Sequence, residues 1–82
     1  MYNVIKEVVD NETNKVNSFT TKHIYFDCAK RHFHQLEKDL VNAGYDLDDD
    51  TKDYTEDYVD NCEFFNNATN ETTTVRLFLE RH

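Results

Sequence analysis

Proline and tryptophan are absent from the 82 residues, glycine occurs once and cysteine twice. Each shortage removes a class of function. One glycine, Gly44, cannot build a glycine-rich phosphate cradle. Nor does it leave room for the strained elbow or oxyanion turn that would have to accompany Cys28 or Cys62 as a nucleophile beside a histidine. Two cysteines make no disulfide framework, and free thiols are the ordinary state inside cells. No stretch approaches the ~20 apolar residues of a membrane span, and no basic-then-apolar signal is visible at the start. The expectation is a soluble, cytoplasmic chain. Without proline, nothing forbids continuous strand pairing. Positive charge is scarce too, with 9 Lys and Arg against 17 Asp and Glu and a net charge of −8. That balance argues against nucleic acid or an anionic bilayer as the direct ligand and suits a basic protein partner.

What remains is aromatic and patterned. Six Phe and five Tyr lift hydrophobic content to 38%, too rich for a disordered chain and enough to fill a compact core with few residues. A chain of this length forms a single domain, 1–82, and buries only roughly 60% of its unfolded surface, which leaves little depth for a catalytic cleft. Asn11, Asn67 and Asn70 each open a glycosylation-type triplet; without a secretion signal they read as turn residues.

Alternation marks Tyr2 to Val9 as a strand, with Tyr2, Val4, Lys6 and Val8 on one face and Ile5 and Val9 on the other. A turn over 10–15 leads to a return strand from Val16, carrying Phe19, Thr20 and Thr21 and reaching at most to Ile24-Tyr25-Phe26; an end at Ile24 balances the hairpin. A helix follows. Ala29, Phe33, Leu36, Leu40 and Ala43 form one apolar stripe at steps of four and three. Gly44 is placed to cap the C-terminus and Asp27 the N-terminus, with Thr20 or Thr21 as alternative N-caps. Lys30, Arg31, His34 and Lys38 make a mildly basic outer strip. A second hairpin is expected over 58–66 and 72–81, turning at 67–71, with Cys62 and Phe64 on one face and Phe65 on the other. These elements predict an α+β fold, a small antiparallel sheet crossed by one helix in the order ββαββ. The uncovered sheet face would show some of Tyr2, Phe65 and Phe78, and a homodimer could form there.

The remaining stretch is the most unusual. Between Asp46 and Glu63 there are nine carboxylates and one cation, Lys52, expected as an acidic loop over 46–57. Asp46, Asp48 and Asp50 match the first, third and fifth positions of a calcium loop. Thr51 replaces the required glycine, Asp53 adds a charge, and Asp57 stands where a bidentate Glu is needed. Cys28 and His32 lie one helical turn apart, as two metal ligands could, but paired ligand knuckles are missing and a packed thiol is the simpler reading. No cofactor, metal or catalytic residue is expected. The tyrosines within the run either cover the small core or serve, as aromatics among acids do at interfaces, as contact residues. The candidate partner-binding set is Asp46, Asp48, Asp49, Asp50, Asp53, Tyr54, Glu56, Asp57, Tyr58 and Asp60.

In its small size, its acidic run with Tyr45, Tyr54 and Tyr58, and its compact α/β pattern, the chain resembles the short acidic accessory proteins of phages and mobile elements. These include anti-CRISPR proteins that act as DNA mimics. The resemblance is compositional. It implies an inhibitor, not an enzyme, that works in the host cytoplasm by occupying the basic nucleic-acid site of a defence nuclease or related protein. Lys30, Arg31 and Lys38 depart from a uniformly acidic mimic. The alternative is a structural module that dimerises through the open sheet face.

Overall fold

The computed structural model describes residues 1–47, 52–53 and 62–81. Among them the chain forms β1 (Tyr2–Asp10), β2 (Val16–His23), α1 (Phe26–Asn42), β3 (Asp46–Leu47), β4 (Lys52–Asp53), β5 (Cys62–Thr69) and β6 (Thr73–Arg81). All pairings are antiparallel, in the spatial order β2-β1-β6-β5-β3, with β4 also on β5. The α+β class is as expected. The ββαββ arrangement is corrected, because both ends of the segment 46–53 add short strands to the far side of β5. The first and last strands pair with each other at the centre of the sheet.

Register decides the core. Val4 pairs with Leu79, Lys6 with Leu77 and Val8 with Val75 across β1 and β6. Phe64, Asn66 and Ala68 of β5 pair with Leu79, Leu77 and Val75. Period-two alternation puts these residues on one face, where Val4, Ala68, Val75, Leu77 and Leu79 are buried against Ala29, Phe33 and Leu40 of α1. Burying one such side chain stabilises by about 1.5–3 kcal/mol. Leu36 is partly buried and Ala43 exposed, so the expected stripe ends one turn early. Glu37 is buried in its place.

The helix ends differ in quality. At the C-terminus Gly44 adopts a φ of 90°. Its N–H donates to the Val41 carbonyl at 3.1 Å and the Tyr45 N–H to the Leu40 carbonyl at 3.0 Å, the Schellman pattern. At the N-terminus the expected cap is corrected: Tyr25 occupies that position with no side-chain bond, and Asp27 lies inside the first turn. The reason is packing. Starting at Phe26 turns its ring inward, 5.4 Å from Tyr2 and 5.9 Å from Phe64 between centroids. For the same reason β2 stops at His23, and Ile24 and Tyr25 are left exposed in the connection.

Both hairpin turns use side chains as acceptors. Asp10 Oδ1 accepts from the Glu12 N–H at 2.9 Å. Asn70 Oδ1 accepts from the N–H groups of Thr72 and Thr73 at 3.0 and 2.8 Å. The second turn is shorter than expected, because Asn67 belongs to β5. A register shift between Cys62 and Phe64 inserts a bulge there, so the expected alternation from Cys62 to Phe64 is interrupted.

Candidate functional site

The acidic run enters and leaves the described structure along one edge of the sheet. Asp46 pairs with Thr69 and Leu47 with Ala68; Lys52 pairs with Phe65 and Asp53 with Phe64. Both paired segments are two residues long, and short, charged edge strands are among the devices by which sheets keep an edge from pairing further. Asp46 is exposed. Of the expected binding residues, Asp46 and Asp53 are therefore fixed on the edge of β5. Asp48, Asp49, Asp50, Tyr54, Glu56, Asp57, Tyr58 and Asp60 lie outside the described residues. Tyr45, at the margin of the run, packs against the core beside the helix cap. The extended pairing of 46–47 and 52–53 also differs from a calcium loop, which coils around its ion.

Beneath the helix sits a polar cluster that sequence reading missed. Asn66, fully buried, donates from Nδ2 to Glu37 Oε2 at 2.6 Å. His34 Nδ1 lies 2.7 Å from Glu37 Oε1. The carboxylate accepts both, which fixes a proton on His34 Nδ1. Burying a carboxylate is costly unless donors meet it, and here one comes from the sheet and one from the preceding turn of the helix. Helical spacing carried a signal, since Glu37 lies four after Phe33 and three before Leu40. Nothing local points to Asn66. His34 thus belongs partly to this network, while Lys30 lies over the Phe64 ring at 5.9 Å.

A second histidine cluster closes the other side of the helix. His23 Nε2, at the end of β2, lies 3.0 Å from His32 Nδ1, with the rings edge to face. Burial, and then the neighbouring His23, hold the His32 imidazole below its ordinary pKa. Cys28 is exposed one turn before His32. Among the described residues no three His, Cys, Asp or Glu side chains converge at metal-ligand spacing.

The face of the sheet opposite the helix has a short apolar row. Ile5 pairs with Phe78 and Phe78 with Phe65, and the two phenyl rings lie 5.2 Å apart. Tyr2 is not part of it. It packs on the helix side against Phe26, so of the three residues named for the open face Phe65 and Phe78 lie opposite the helix. Asn3 and Asn67, also on this face by register, each bury a side-chain oxygen without a hydrogen-bond partner.

No family model, curated protein or solved structure matches the chain. No helix among the described residues is long and apolar enough to cross a membrane.

Proposed function

We propose that the protein is a non-enzymatic inhibitor that presents an acidic sheet edge to the basic, nucleic-acid-binding surface of a host defence nuclease or related protein. The observation that supports this reading is that Asp46 and Asp53, two members of the acidic run, are held along one sheet edge on β5. Carboxylates compete with phosphates for the same Lys and Arg groups, and the effect is strongly salt-dependent. The action takes place in the cytoplasm of the host cell, with no direct contact to nucleic acid or membrane and no cofactor.

Competition tests it. A partner captured from host lysate should lose nucleic-acid binding when the protein is added, and a preformed partner–nucleic acid complex should resist it. Replacing Asp48, Asp49, Asp50 and Asp53 together by Asn should abolish the effect. A partner that holds the protein and nucleic acid at once, without mutual loss of affinity, rules the reading out.

A second reading, a structural module that self-associates through the sheet face opposite the helix, draws on the pairing of Ile5 with Phe78 there. In that case Phe78→Glu separates the copies.

A further inference from the structure

The two edges of the sheet are unlike. The β5 side is edged by two short segments that carry Asp46 and Asp53. The β2 side is eight residues long, pairs with β1 without a register break, and has no proline and no acid. Seven of its residues are exposed and His23 is partly so. An edge of this kind is a template for another strand. We propose that β2 pairs with β2 of a second copy, extending the sheet across a two-fold axis; this inference is independent of the acidic-edge reading.

The hydrogen-bond pattern sets the register. The Asp10 N–H donates to the Lys15 carbonyl at 2.9 Å, so Asp10 and Lys15 are a hydrogen-bonded pair. Antiparallel ladders alternate, which turns the backbone groups of Asn17, Phe19, Thr21 and His23 toward β1. Those of Val16, Ser18, Thr20 and Lys22 face outward. A two-fold axis at Phe19 sets Val16 of one copy opposite Lys22 of the other, and Ser18 opposite Thr20. Every outward-facing residue of the strand is then used on both copies.

Side chains and charge support the same axis. Phe19 is 59% exposed because α1 packs over the strands beyond β2, leaving an open groove of about 480 Å³ lined by Lys6, Val8, Phe19, Leu40 and Tyr45. At the axis the two Phe19 rings become cross-strand neighbours on the helix face, a favourable aromatic pair, and the two grooves adjoin. Lys22 is opposite Val16, so no like charges face each other within the seam. In a chain of net charge −8, β2 itself carries no carboxylate, so the seam sets no acid of one strand against an acid of the other. The acidic edges then lie nine strand spacings apart, roughly 43 Å at about 4.8 Å each, far beyond a Debye length of about 8 Å.

Sedimentation equilibrium of the full chain at high micromolar concentration tests this. The wild type should give twice the 9.8 kDa chain mass. Thr20→Pro removes an outward N–H that β1 does not use, and Phe19→Asp charges the axis. Both should give the monomer mass with the far-ultraviolet circular dichroism retained, while Phe78→Glu stays dimeric. A monomeric wild type, a dimer that survives both β2 variants, or a dimer lost in Phe78→Glu overturns the proposal.

Discussion

Asn66 donates to Glu37 across 29 positions of sequence, and the 2.6 Å bond joins β5 to the underside of the helix. Both side chains are buried. The bond fixes how the helix sits along β5, since sliding α1 by one turn would leave a carboxylate against leucines. Such a pair specifies an arrangement more than it stabilises one.

Removing one member should therefore cost more than removing both. Asn66→Leu leaves the buried carboxylate short of a donor and should destabilise by about 2–3 kcal/mol, whereas the double change Glu37→Leu with Asn66→Leu should recover most of that loss. Urea unfolding of the three proteins measures both. Additive losses in the double variant would mean that the two side chains act separately.

Core truncations should follow burial, not the helical stripe. Leu40 is 5% exposed, and Leu40→Ala should cost about 2–5 kcal/mol. Leu36 is only partly buried and should lose less. Equal losses in thermal unfolding would show that Leu36 is as enclosed as Leu40.

The histidine pair gives stability a pH dependence. The His32 pKa in the folded protein is below its ordinary 6.5, so between the two values the unfolded chain binds more protons. Stability from this group is complete above about pH 6.5 and is lost as pH falls through 6.5 toward the folded value. His32→Gln keeps a polar partner for His23 without titrating. Its melting temperature should fall less between pH 7.5 and pH 5 than that of the wild type, and identical profiles would exclude His32 as a source.

At Gly44 the backbone matters and space does not. Nothing lies within 4 Å of where a Cβ would stand, yet φ is 90°. Gly44→Ala should cost about 1–2 kcal/mol from the left-handed backbone alone, and Gly44→Asn less, by the same denaturation measurement. A neutral Ala would mean that the cap rearranges.

Local pattern made the helix and both hairpins legible, because Phe33, Leu40, Val75, Leu77 and Leu79 repeat at the period of their own element. The cap at Gly44 was readable for the same reason. The start of the helix was not, since Phe26 is drawn inward by Tyr2 and Phe64, two residues distant in sequence. The His23 and Asn66 contacts also depend on tertiary placement. That part of the acidic run joins the sheet was hidden by its composition: carboxylates disfavour strands in general, but pairing with β5 overrides the preference at 46–47 and 52–53.

The central pairing of β1 with β6, which sets Tyr2 beside Arg81, also bears on how the molecule assembles. The two hairpins, β1 with β2 and β5 with β6, close over short loops and can form early. Their junction closes the longest loop in the chain, and such distant pairings slow folding because the entropy of closure is lost before the contacts form. On a ribosome the first strand must wait for the last before its second edge is satisfied. Until then β1 exposes that edge to any passing strand, so the interval before closure is when the chain is most open to mispairing.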